Sequence, residues 1–202
     1  MKKKYAALFV REDSGYKNLN RQRWDAYDIN RDAANFKGGM PCVCHPPCRT
    51  WGVMAHMAFR NKDWTKDFSA AEVSEKQLAL NSIGFVRENG GILEHPSGSR
   101  LFKKHLPDTG MDADEFGGFT ILIDQFDFRH VAHKPTKLYI CGMNSVILPR
   151  LPTKRIENTN RSIAGNVAGT KRCTQRQREY TPELLMDWFE SVLDIITEQR
   201  SK

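Results

Sequence analysis

The densest group of reactive side chains lies in Cys42-Val43-Cys44-His45-Pro46-Pro47-Cys48-Arg49-Thr50-Trp51. Three thiols and an imidazole within seven positions admit two chemistries. Ligands this dense invite zinc, with His130 or His133 as a further partner. In a strand, however, Cys42 and Cys44 share one face while His45 points to the other, and no second C-x-x-C or H-x-x-H closes the site. The other chemistry takes Cys48 alone. A strand that ends in Pro-Pro-Cys sets the sulfur in a rigid loop at the carboxyl edge of a sheet, where open α/β sheets bind their ligands. A thiolate is a strong nucleophile, and Arg49 and His45 are the neighbours expected to lower the thiol's pKa.

Two further segments carry candidate groups. In Gly90-Gly91-Ile92-Leu93-Glu94-His95-Pro96 a carboxylate closes an apolar run. Burial there is expected to raise its pKa and make Glu94 a proton donor; the bland alternative is a half-exposed partner for Arg100. In Gln125-Phe126-Asp127-Phe128-Arg129-His130-Val131-Ala132-His133-Lys134, alternation predicts that Gln125, Asp127 and Arg129 share one side and the phenylalanines the other. Arg129 suits a phosphate or a carboxylate. A solvent-facing edge strand would look the same.

The elements that must position these groups read as α/β. Apolar runs at Tyr5–Val10, Ala26–Ile29, Pro41–Cys44, Ile92–His95, Phe119–Ile123 and Thr136–Cys141 predict buried strands. Between the third and fourth, Ala70 to Glu88 predicts a helix opened by a Ser69/Glu72 capping box and closed by Gly90-Gly91. Strand, crossover helix and strand make a βαβ unit with a parallel pair, which would bring Cys48 and Glu94 to one rim. Thr181 as N-cap and Pro182 at the first helical position open a last amphipathic helix, whose Leu185, Trp188, Phe189, Val192 and Ile196 fall on one face and read as core.

Charge narrows the classes. The 202 residues carry a formal +7, and the stretch Arg150 to Tyr180 alone holds eight Lys/Arg against two Glu. Rich also in Gly, Asn, Thr and Ser, it reads as a mobile basic loop able to lie along phosphates, with Lys154, Arg155, Lys171, Arg172, Arg176 and Arg178 as the grip. A solvated loop that binds nothing has the same composition. No apolar run approaches the roughly 18 residues of a membrane span, and the first residues meet charge after about six apolar ones. Five scattered cysteines argue against a disulfide framework. The expectation is a cytoplasmic protein.

Taken in order, Pro-Pro-Cys, Leu-Glu-His-Pro and Gln-x-Asp-x-Arg resemble the Pro-Cys, Glu-Asn-Val and Gln-x-Arg-x-Arg motifs of the cytosine-C5 DNA methyltransferases. The stretch from Asp25 to about Leu151 is most similar to phage and prophage relatives of those enzymes, with their His-Pro-Pro-Cys-Arg-x-Trp loop and Lys-x-Thr-x-Leu-Tyr-Ile strand. The resemblance implies a Rossmann-like, mostly parallel sheet with helices on both faces over residues 1–150, the basic loop at 151–180, and the last helix at 181–198 packed on the same domain. It also implies a host cytoplasm and an activity: Cys48 adds to C6 of a pyrimidine in DNA or a nucleotide while Glu94 hydrogen-bonds or protonates N3. His45, Pro47, Arg49, His95, Gln125, Arg129 and Lys134 would surround the base. Asp13, Ser14 and Gly15 fall where that family binds S-adenosylmethionine, though Leu8 to Tyr16 contains one glycine rather than a glycine-rich loop. His95 stands in place of an asparagine, Asp127 in place of an arginine, and about 50 residues after Leu151 are too few for a full target-recognition domain. The rival expectations are a non-catalytic nucleic-acid or nucleotide binder on the same scaffold and a zinc-stabilised interaction module.

Overall fold

The structure, a computed structural model, describes residues 3–52, 55, 68–163 and 167–201, with the side chains of 68–73 outside that description. All six apolar runs become strands: β1 (Tyr5–Leu8), β2 (Trp24–Tyr27), β3 (Cys42–Cys44), β4 (Gly91–Pro96), β5 (Phe119–Asp124) and β6 (Pro135–Cys141). They form one sheet in the order β2-β1-β3-β4-β6-β5. The first four are mutually parallel, and β6 runs antiparallel to both of its neighbours. The helices are α1 (Phe68–Asn89), α2 (Arg100–His105), α3 (Gln175–Glu179) and α4 (Glu183–Arg200).

Strand alternation divides the core into two layers. Tyr5, Ala7, Val43, Ile92, Leu138 and Ile140 pack with Leu185, Phe189, Val192, Leu193 and Ile196 of α4. Ala6, Leu8, Cys42, Cys44, Leu93, Tyr139 and Cys141 pack with Ala79, Ile83 and Val86 of α1 and Leu101 and Phe102 of α2. Helices therefore cover both faces of the sheet, which parallel strands buried on both sides require. Trp24 Nε1 donates to Glu190 Oε1 at 2.6 Å, and Arg21 meets Asp187 at 2.8 Å, fixing α4 over the β1–β2 edge.

Two glycines let α1 turn straight into β4. Gly90 ends the helix at φ 74°, a left-handed conformation that glycine adopts without a Cβ penalty. At Gly91 a Cβ would lie 2.0 Å from the Cys42 carbonyl oxygen, so the β3–β4 pairing itself demands glycine.

Several expectations shift. β2 ends at Tyr27, because Asp28 turns the chain by accepting from the backbone N–H groups of Asn30 and Arg31. The expected capping box at Ser69 and Glu72 lies among side chains outside the described set, and α1 already includes Phe68. Pro182, not Thr181, holds the N-cap position of α4 and closes no side-chain cap. The alternating strand expected at Gln125 to Arg129 is a 3-10 turn over Gln125–Phe128. Asp124 caps it by accepting from Phe126 N at 3.0 Å, and Gln125, Phe126 and Phe128 are all buried.

Candidate active site

Strand order reverses at β1, which has β2 on one side and β3 on the other. Loops leaving the carboxyl ends of β1 and β3 diverge there and open a crevice, the usual ligand position in open α/β sheets. A cavity of about 1070 Å³ occupies it. Its walls come from the loop after β1 (Phe9 to Tyr16), the loop after β3 (His45 to Arg49), the end of β4 (Glu94 to Pro96) and the start of β6 (Lys134, Pro135). Residues from α3 and the first turn of α4 complete it. Cys48, Glu94 and the Asp13-Ser14-Gly15 stretch thus line one space.

Register explains the pairing at its floor. Cys44 lies opposite Leu93 in the parallel β3–β4 ladder, so the next residue on each strand, His45 and Glu94, turns to the other face together. His45 Nδ1 and Glu94 Oε2 are 3.1 Å apart, and Gln125 Nε2 donates to Glu94 Oε1 at 2.9 Å. Gln125 is held in turn by Thr136 Oγ1 at 3.1 Å. His45 Nε2 lies 3.1 Å from the Tyr16 hydroxyl. A carboxylate only accepts, so His45 donates through Nδ1; in that tautomer Nε2 is the acceptor for a hydrogen bond from the Tyr16 hydroxyl.

These contacts overturn the expected acid. Burial would raise the Glu94 carboxyl, but Lys134 and the His45 hydrogen bond outweigh it and hold the group at about 2. Glu94 is a carboxylate at neutral pH. The Cys48 thiol also departs from expectation: burial and the Glu94 charge push it up, against a weaker pull from Lys134. The Arg49 guanidinium is engaged by Glu75 of α1, with Nε 3.3 Å from Oε2, and its charge acts on Cys48 without reversing the rise. Cys48 as a whole residue reaches solvent, while its sulfur is desolvated among the groups lining the cavity.

His95 is buried next to the Pro-Pro-Cys loop. Its Nδ1 lies 2.7 Å from the Ser99 hydroxyl, which also accepts from Leu101 N at 3.1 Å. The ring feels the Pro47 and Pro46 carbonyls, while Nε2 closes no hydrogen bond. Burial lowers the ring to about 4, so it stays neutral.

The remaining expected residues separate. Pro47 and Lys134 line the cavity. Arg129 does not: left-handed at φ 73°, it borders a second hollow of about 450 Å³ with Arg155 and Glu157. The basic segment also differs from a loop laid along phosphates. Arg155 stacks on Phe126 at 4.0 Å and pairs with Glu157. Arg176 pairs with Asp13 at 2.9 Å, and Arg178 lines the cavity. Lys154, Lys171 and Arg172 are exposed, the last two in a two-residue parallel ladder of β7 (Arg161–Ser162) with β8 (Lys171–Arg172). Tyr16 escaped the sequence reading, since a single tyrosine in a polar loop has no periodicity to place it.

Zinc finds no donor set: Cys42 and Cys44 are buried in the α1-side core, and no cluster of three His, Cys, Asp or Glu gathers among the described residues. The residues after β1 do not fit S-adenosylmethionine either. Their N–H groups turn inward, Ser14 N to Arg11 O, Lys17 N to Ser14 O and Asn18 N to Gly15 O. The one glycine of the stretch, Gly15, has φ outside the left-handed region, and a Cβ on it would meet the flexible end of the Met186 side chain of α4 at 2.6 Å. Asp28, the acidic residue at the end of β2, is spent on Lys17 and two backbone N–H groups.

Comparison with family models, curated proteins and solved structures finds no match for this chain.

Proposed function

We propose that this protein is a Rossmann-like relative, in layout, of the cytosine-C5 methyltransferases that forms a covalent adduct between Cys48 and C6 of a pyrimidine base. The observation that carries the reading is that a thiol from the loop after β3 and a carboxylate from the end of β4 line one cavity at the strand-order reversal. In the step proposed, the Cys48 S–H bond breaks and the Sγ–C6 bond forms. The C5=C6 pair moves toward C4 and the C4=N3 pair to N3, which takes up the proton lost by the thiol. Glu94, already ionised, then accepts the N3–H hydrogen bond of this neutral adduct and holds the proton on N3 while C5 is nucleophilic, a role for a carboxylate rather than for a starting acid. Return of the electrons through C5 exchanges its hydrogen with water. No methyl transfer is derived, because the donor's usual cradle does not fit.

A nucleobase must leave its stack to enter such a cavity, so the substrate is a free nucleotide or a single-stranded or flipped base. The test is hydrogen exchange at C5, followed by NMR in heavy water with deoxycytidine monophosphate and with a cytosine-containing oligodeoxynucleotide. Exchange by the wild type and none by Cys48→Ala is the expected result. Exchange that persists in Cys48→Ala, or none by the wild type on either substrate, contradicts the reading.

A further inference from the structure

Five Lys/Arg line the cavity, and three of them are spent. Arg11 meets Asp13 at 2.9 Å and Glu179 at 2.5 Å; Arg176 meets Asp13. Arg49 is engaged by Glu75. Lys134 and Arg178 form no ion pair among the described residues, and Arg178 Nε is buried with no hydrogen-bond partner. Lys134 acts electrostatically on both Glu94 and Cys48, which places its charge beside the reacting groups. Lys134, whose charge also acts on Glu94, and Arg178, whose Nε lacks a partner, bring two positive charges into one cavity, which match the two negative charges of a phosphomonoester.

The surface charges argue against a polymer. Asp13 and Glu179 have side chains 42% and 44% exposed, and with Arg11 and Arg176 they tie the loop after β1 to α3. A polynucleotide draws its affinity from successive phosphates meeting free cations, and here it would run past two carboxylates whose cations are already neutralised. The cavity's volume suits a whole nucleotide, at the upper end of the roughly 300–1,000 Å³ of small-molecule sites.

We infer that the substrate of this site is a free pyrimidine nucleoside monophosphate, its phosphate held by Lys134 and Arg178 and its base presented to Cys48 and Glu94. This rests on the base-modifying reading for the orientation of the base, whereas phosphate recognition is measured apart from chemistry. Calorimetry on the Cys48→Ala protein compares deoxycytidine monophosphate, deoxycytidine and a single-stranded oligodeoxynucleotide. The monophosphate binds about ten-fold or more tighter than the nucleoside, and Lys134→Gln or Arg178→Gln each removes that advantage; in Arg178→Gln, which leaves the groups around the base untouched, nucleoside affinity stays the same. Arg178→Lys, which keeps the charge, retains most of it. The inference is overturned if the monophosphate fails to bind or binds no better than the nucleoside, if Arg178→Gln changes nothing, or if the oligonucleotide binds more tightly than the monophosphate. Failure of the base-modifying reading looks different: the phosphate preference survives, but no Cys48-dependent exchange at C5 accompanies it.

Discussion

The ends of β3 and β4 and the segment from Arg150 to Tyr180 line the same cavity but are built on different physics. At the strand ends, position follows from local rules. Parallel register sets Cys44 against Leu93, alternation turns His45 and Glu94 to one face, and the next residue, His95, turns to the other beneath the proline loop. In the basic segment, position follows from contacts remote in sequence: Arg11 with Glu179, Asp13 with Arg176, and His130 Nε2 against the Gln177 carbonyl at 2.8 Å. Of the clustered charges expected to grip nucleic acid, Arg155 and Arg176 are paired to carboxylates, Arg178 lines the cavity, and Lys154, Lys171 and Arg172 face solvent. Composition locates charge along a chain; only folding decides whether a cation faces a partner carboxylate, a cavity or water.

That contrast is broken most severely at Cys48. Replacing it with alanine is expected to abolish C5 exchange and leave the melting temperature nearly unchanged, since the side chain lies at a cavity wall rather than in either core layer. A large loss of stability would make it a packing residue. Exchange in the wild type should rise as pH rises through the alkaline range, because burial and Glu94 keep the thiol protonated at neutral pH.

Glu94→Gln comes next, with an expected loss of about 100-fold or more in exchange. It also alters acid stability. Glu94 sits at about 2 in the fold against an ordinary 4.5, so its contribution is present above 4.5 and disappears as pH falls toward 2. A shift of this size is worth on the order of 3 kcal/mol. Melts across that window should flatten in the variant.

His95 sharpens the same comparison at higher pH. Its ring, lowered from 6.5 to about 4, adds stability above 6.5 that is lost as pH falls toward 4. His95→Asn should remove this slope while leaving measurable exchange, because the ring is tied to Ser99 and hydrogen-bonds neither Cys48 nor Glu94. The smallest effect is expected in the basic segment: Lys171→Gln with Arg172→Gln should leave exchange and nucleotide affinity unchanged, as both side chains are exposed and outside the cavity wall.

Much of the fold was legible because it is written in short-range pattern. Six apolar runs gave six strands, and Gly90-Gly91 marked the helix stop that β3 requires by close approach. The βαβ unit followed, and with it the shared rim of Cys48 and Glu94. What stayed hidden depends on partners far along the chain. The Gln125 turn replaced a strand because the Asp124 side chain caps it, and Lys134 N bonds the same carboxylate at 2.8 Å. Glu94 is held ionised because Lys134 and His45 arrive from separate segments and outweigh its burial. Burial alone, the only influence visible in the sequence, has the opposite sign.

The most direct measurement is intact-protein mass spectrometry after incubation with a pyrimidin-2-one nucleotide, supplied free and within a single-stranded oligonucleotide, followed by peptide mapping. This ring accepts a thiol at C6 without further chemistry. One pyrimidine unit added per chain, mapped to the Cys48 peptide and absent from Cys48→Ser, is the predicted result. No adduct with either form, or an adduct on any other cysteine, contradicts the central claim that Cys48 and Glu94 act together on a base in this cavity.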